Sequence, residues 1–385
     1  MSCGPPLSGR RTLNKRRRRA LAGLPTIWYA QPVRRRASSW AAIAGAVVTL
    51  GACGAGVAAR RAADPIVSRA QALARDAPCD HPTRTRYSYH WPIKPFDRQH
   101  PIRGNFGDPR TVSKEGREEG IPSPGSHGSF NFHNGVDISA TTGTAVYPVV
   151  SGVARIGFAD EVIVRTFDFR TFQYLHIRPR VHDGQRVTAY KTILGTVRPR
   201  WLHVHLSEID GFRIHNPADP GHLEPYRDGT IPAVDDITFT GVRGTELDPS
   251  SLHGKILISA GASDLPPISV PGYWFDFPVT PALVTWRMAS PKAPVVRRTT
   301  VADFRHTEPP PRDYWRIYAS GTYQNFPAIG GDVHFRLPGR YLFNLTPTPL
   351  DTRHVPNGRY SITAYVADVC GNHSSITERV RIDNS

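Results

Sequence analysis

Acidic residues are absent from the first 63 positions of this 385-residue chain, which hold twelve Arg or Lys before Asp64. The formal charge of +16 is therefore concentrated in a leader, and only about four of those charges belong to the rest. A nucleic-acid-binding role needs its basic patch in the folded part, so no nucleic-acid partner is expected. Further absences narrow the chemistry. No His-Glu-X-X-His helix is present, which excludes the common zincin arrangement with a glutamate base. Ser129, Ser139 and Ser151 all lack the Gly-X-Ser-X-Gly setting of a hydrolase nucleophile. No repeat is long enough for a solenoid or propeller, and helical periodicity is scarcely visible after residue 75.

What precedes Asp64 reads as targeting architecture. Residues 1–39 form a basic leader, with Arg10, Arg11, Lys15 to Arg19 and Arg34 to Arg36. Residues 40–59, WAAIAGAVVTLGACGAGVAA, are uncharged and about long enough to cross a bilayer, although rich in Gly and Ala. A secretory signal and a retained N-terminal membrane anchor both fit. Leu50-Gly51-Ala52-Cys53 resembles a bacterial lipoprotein cleavage box with Cys53 as the lipidated residue. Each reading implies export to the cell envelope, anchored or secreted. With Cys3 in the leader and Cys53 in the apolar stretch, Cys79 and Cys370 are left to pair in an oxidising compartment, the alternative being two separate thiols.

Residues 60–90 read as a linker or stalk, with a short helix over 66–74. From Trp91 the sequence turns to short runs of Val, Ile, Tyr and Thr broken by Gly and Pro, which predicts a mainly β chain. The clearest strands are expected over 146–150, 152–156, 161–166 and 172–177. A stretch rich in Pro, Asp and Gly around 216–236 closes a first domain, placed at 91–245. Strands over 255–259, 282–288, 340–345 and 359–369 predict a second domain, 246–385. Its expected form is a β-sandwich of immunoglobulin or fibronectin type that could meet a protein partner.

Two spacings carry chemistry. In an extended strand, His203 and His205 of His203-Val204-His205 point to one side while Val204 and Leu206 point to the other. Alone, such a pair is more often a surface or core pair than a metal site, and a lone His133-X-X-X-Asp137 arises often by chance. Found in order, with Tyr174-Leu175-His176 between them, the two can supply a zinc site. His133, Asp137 and His205 would be the ligands, leaving a fourth place for a water made acidic by the metal. His127 and His182 lie in loops and read as solvated. Arg103 and Arg110 face either acidic substrate groups or local carboxylates, and Trp201 either lines a groove or packs.

These residues resemble the lysostaphin or LytM-type zinc endopeptidases of bacterial cell walls over roughly residues 91–240. Arg103 to Arg110 looks like the family's entry motif, followed by His133-Asn134-Gly135-Val136-Asp137, Gly143 to Tyr147, Tyr174-Leu175-His176, Asp183 to Val187 and His203-Val204-His205. The resemblance implies an antiparallel fold built on a duplicated hybrid motif. It also implies Zn2+ held by His133, Asp137 and His205, with His176 and His203 as catalytic histidines. One would take and return a proton and the other would stabilise the developing oxyanion, His203 being assigned as the base. The implied substrate is the peptide cross-link of peptidoglycan.

Two departures stand out. Residues 194–201 are unlike the Gly-, Thr- and Ser-rich loop the family carries before its His-X-His, and Ser207 occupies the place of a frequent glutamate, with Glu208 one residue later. The expected function is an exported zinc endopeptidase of wall remodelling. A non-catalytic wall-binding or regulatory module on the same fold is the alternative.

Overall fold

The computed structural model describes residues 79, 85–112, 121–122, 129–157, 160–199, 201–291, 294–324 and 338–384. Residues 61–385 form one compact unit. The basic leader, the apolar stretch with Cys53, the short helix over 66–74 and His127 lie outside the described residues. Among the described residues, no helix is long and apolar enough to cross a membrane.

The chain is mainly antiparallel β, as its short β-branched runs predict. Its first half forms β1 (Ile102–Gly104), β2 (Pro109–Val112), β3 (Ile121–Pro122), β4 (Ser129–Phe132), β5 (Val136–Ser139), β6 (Ala145–Val146) and β7 (Gly152–Ile156). There follow β8 (Glu161–Arg165), β9 (Arg170–Leu175), β10 (Ile177–Pro179), β11 (Arg186–Val187), β12 (Gly195–Val197), β13 (His203–Asp210) and β14 (Arg213–His215). The main sheet runs β1-β5-β13-β9-β8-β7-β11, with β14 also paired to β13. Ile138, Val162, Val164, Phe172, Tyr174, Val204 and Leu206 are fully buried in its core. Apolar residues at alternate positions fill that core, which leaves the intervening ones for the opposite face. Of the strand expected over 146–150 only Val146 is extended, as the end of β6, and the one over 172–177 breaks where His176 takes a left-handed φ of 67°.

The second half adds β15 (Ala233–Gly241), β16 (Lys255–Ser263), β17 (Leu283–Ala289), β18 (Pro294–Asp303), the single-turn α1 (Tyr314–Ile317), β19 (Leu342–Asn344), β20 (Leu350–Asp351), β21 (Gly358–Ala367) and β22 (His373–Ile382). One sheet runs β15-β16-β19 with β20 beside β16, the other β18-β17-β21-β22. Their inner faces share a core around Phe239, Ile258, Trp286, Phe343 and Ile362. These contacts show two sheets on one core and do not establish the immunoglobulin or fibronectin type.

The expected boundary at 245/246 falls between β15 and β16, which pair from Ala233↔Ser263 to Gly241↔Ile256. The second block thus begins near Ala233, and it takes Phe106, Phe130 and Phe132 from the first half into its core. Phe132 lies against Tyr314 and Phe304, with ring centroids 5.0 and 5.6 Å apart. Cys79 and Cys370 are joined as a disulfide across 291 positions.

Candidate metal centre

The main sheet assembles the candidate residues by register. His205 on β13 stands directly opposite Asp137 on β5, and antiparallel partners of this kind share a face. His133 precedes β5, and its Nε2 lies 2.8 Å from His205 Nδ1 and 3.1 Å from Asp137 Oδ1. His205 Nδ1 is 3.2 Å from the same carboxylate oxygen. All three residues are buried, and their donor atoms form a group that could hold a metal ion.

Hydrogen bonds on the far side of each ring show whether the donor set fits a cation. His133 Nδ1 is 2.7 Å from the carbonyl of Asn105, which can only accept, so this nitrogen carries the proton and Nε2 is bare. Arg110 Nη2 also lies 3.1 Å from that nitrogen. His205 Nε2 is 2.7 Å from Ser207 Oγ, and in the tautomer in which Nε2 donates to that hydroxyl, Nδ1 is bare. Two lone pairs and a carboxylate oxygen therefore face one another at 2.8 to 3.2 Å. Such a set repels itself without a cation, and its spacing is near the roughly 3.3 Å edge of a tetrahedron with zinc–nitrogen bonds of about 2.0 Å. The residues fit zinc.

Electrostatics point the same way. Burial pushes the His133 imidazole down to about 3, helped by the nearby Arg110. For Asp137, burial would raise the carboxyl, but His203, His133 and Arg110 together hold it well below the usual range. Arg110 donates to Asp137 Oδ2 at 2.7 Å. Gly104, opposite Asp137 on β1, makes room for this contact: a Cβ there would overlap Arg110 Nη2 and come within 2.9 Å of Asp137 Oδ2.

The two remaining histidines flank this group. His203 Nδ1 donates to the carbonyl of Trp201 at 2.7 Å. Its Nε2 stands 3.3 Å from Asp137 Oδ1 and has no hydrogen-bond partner. Burial lowers His203 to about 3, so its neutral form dominates near neutrality. His176 ends β9, with its ring 4.6 Å from that of His203 and 6.4 Å from that of His205. Its Nδ1 lies 3.5 Å from Asp160, which also meets Arg198 at 3.1 Å. Burial lowers His176, with Asp160 opposing the shift. Trp201, 40% exposed, stacks on His176 at 3.7 Å and forms the outer wall of the site.

No family model matches the chain, and no curated protein matches it. Among solved structures it is similar to one described as the SpoIIQ-SpoIIIAH pore forming complex, at 17% identity over 34% of this chain and 90% of that one, with a TM-score of 0.26. A second is the M23 metalloprotease pseudoalterin from the deep sea, at 12% identity over 37% and 82%, with a TM-score of 0.25. A third is the catalytic domain of the prophage-encoded M23 protein EnpA of Enterococcus faecalis, at 22% identity over 36% and 99%, with a TM-score of 0.24. The resemblance is to LytM-type metallopeptidases.

All five histidine and aspartate positions read from the sequence converge, whereas His182 lies exposed in a turn. Arg110 meets the local carboxylate Asp137, and the half-buried Arg103 lies over the Trp274 ring at 4.5 Å. At the departure Ser207, the hydroxyl lies 2.7 Å from His205 Nε2. Glu208 turns the other way and bonds Tyr89 and His222, each at 2.8 Å. Sequence reasoning missed Asn105, whose contribution is a backbone carbonyl, and Asp160, which nothing in its spacing marks. It also missed a second close group of buried carboxylates, Asp228, Asp264 and Asp368.

Proposed function

We propose that this protein is a zinc-dependent endopeptidase of the cell envelope that hydrolyses peptide bonds in peptidoglycan. The observation that carries the reading is the convergence of two bare imidazole nitrogens and a carboxylate oxygen beside a third imidazole whose Nε2 is free. Held by His133, Asp137 and His205, zinc would supply a Lewis acid for a peptide carbonyl.

The chain's own residues supply proton transfer and positioning. His203, fixed by Trp201 through Nδ1 and neutral because it is buried, offers Nε2 to accept a proton and later return it to the leaving amine. His176, beside Asp160 and the Trp201 ring, would stabilise the developing oxyanion as the imidazolium, with Nδ1 facing Asp160 and Nε2 donating to the oxygen. Export is supported by the leader and by the Cys79–Cys370 disulfide, a bond that persists in oxidising compartments. The motif resemblance supports the substrate class.

The test incubates the full-length protein with intact peptidoglycan, with and without a zinc chelator and beside His203→Ala, and identifies fragments by mass spectrometry. New amino termini that vanish in both controls are the expected result. A folded protein carrying one zinc and releasing nothing would replace this reading with the non-catalytic wall-binding module.

A further inference from the structure

The end of the main sheet opposite the metal centre carries its least explained feature. Phe167, Phe169 and Phe212 are 73%, 79% and 106% exposed, whereas Phe130, Phe172, Phe304 and Phe343 are fully buried and the next most exposed, Phe275 between β16 and β17, reaches 58%. They occupy two neighbouring turns. The β8–β9 turn holds Phe167 and Phe169, the β13–β14 turn holds Phe212, and the pairing Asp210↔Arg170 sets the turns side by side. Both are built to project. Phe169 sits at a φ of 68°, a left-handed conformation that phenylalanine rarely adopts, and Gly211 at 61° lets Phe212 protrude.

Cations flank the three rings. Arg165 and Arg186 are exposed in one row across β8, β7 and β11, and the Arg186 guanidinium lies 5.9 Å from the Phe167 ring. Arg213 is exposed beside Phe212. The nearby carboxylates are already engaged, Asp168 by Thr166 and by Arg170 at 3.1 Å, and Asp210 by the Tyr87 hydroxyl at 3.4 Å.

We propose that these two turns dock on an anionic lipid bilayer, with the three rings entering the interfacial zone and the arginines meeting headgroup phosphates. The charge pattern favours lipid over a protein partner. Separate rings on convex turns, interleaved with free cations, match a fluid surface of buried tails and anionic heads better than a continuous dry interface. His205 and Asp210 are five residues apart on β13, so the metal centre would stand roughly 17 Å further from the bilayer than the turns at about 3.3 Å per residue. The docking depends neither on hydrolysis nor on the nature of residues 40–59.

Hydrogen exchange tests it on full-length protein held in phosphatidylglycerol–phosphatidylcholine vesicles and in amphipol. The expected result is exchange over 165–170 and 210–213 slowed by roughly fivefold or more in vesicles, less in vesicles of phosphatidylcholine alone. Phe167→Ser/Phe169→Ser/Phe212→Ser should abolish the difference while β13 keeps its protection, which shows the fold intact. Equal exchange of the wild-type turns in vesicles and amphipol overturns the proposal. So does protection that appears without lipid and grows with protein concentration, which would make the turns a contact between copies of the chain.

Discussion

Ser207 and Asn105 contribute no ligand, yet each sits against the far nitrogen of a histidine in the group. Replacing Ser207 by Ala leaves a buried N–H without an acceptor and lets His205 take the other tautomer. Zinc affinity should fall about tenfold or more, as measured by competition with a chromophoric chelator, while secondary structure stays unchanged. His205→Ala should remove stoichiometric zinc altogether, read by metal analysis of the purified protein. Gly104→Ala should push Arg110 off Asp137 and weaken zinc binding in the same assay, because the added methyl claims the guanidinium's place. The shared face of His203 and His205 was legible in the sequence because His203-Val204-His205 states both residue type and strand geometry. Their supports were not, since a carbonyl such as that of Asn105 has no residue-type signature and Asp160 reaches His176 only through folding.

Among the elements, the turn between β1 and β2 joins the two halves. Its Gly107 carbonyl accepts from Tyr318 at 2.7 Å, and Asp108 accepts from the Thr280 amide at 2.8 Å and from Gln324. Gly107, at a φ of 86°, lies flat against the Phe304 ring, where any Cβ would overlap it. The same turn carries the Asn105 carbonyl that orients His133, so the second block holds a support of the metal centre. Tyr318→Phe should cost about 1 kcal/mol of stability, measured by urea unfolding, and should lower zinc affinity although residue 318 touches no ligand. Strand 152–156 was read correctly because Val153 and Ile156 fall between the glycines Gly152 and Gly157. The break at His176 was not, because a left-handed histidine is imposed by its surroundings and has no local sequence mark.

At the scale of the whole molecule, residues 61–385 form one unit whose interlocking was not legible: Phe106, Phe130 and Phe132 sit in the first half of the sequence and in the second core. A chain ended at residue 245 would strand β15 without β16 and expose those rings, so it should fail to give a cooperative unfolding transition in calorimetry. The buried carboxylates give the folded unit a pH signature. Burial, reinforced by Asp228, pushes Asp368 up to about 8, and burial with the same neighbour raises Asp264. Free aspartates release their protons near pH 4, so between about pH 4 and 8 the unfolded chain has lost protons that the folded one keeps. These carboxylates therefore contribute stability that falls as pH rises through that window, while the buried neutral His133 and His203 contribute in the opposite sense below about pH 6.5. Asp368→Asn, which can still accept from the Asn372 amide, should flatten the dependence of Tm on pH.

The bond between Cys79 and Cys370 also fixes how tension would travel. A pull applied to the chain ahead of residue 79 and resisted beyond residue 370 passes through one sulfur–sulfur link and skips everything between. The histidines, the zinc ligands and the Phe-tipped turns all lie inside that covalent loop, so they would feel no stretching force. The load would fall instead on β22, which would have to peel from β21.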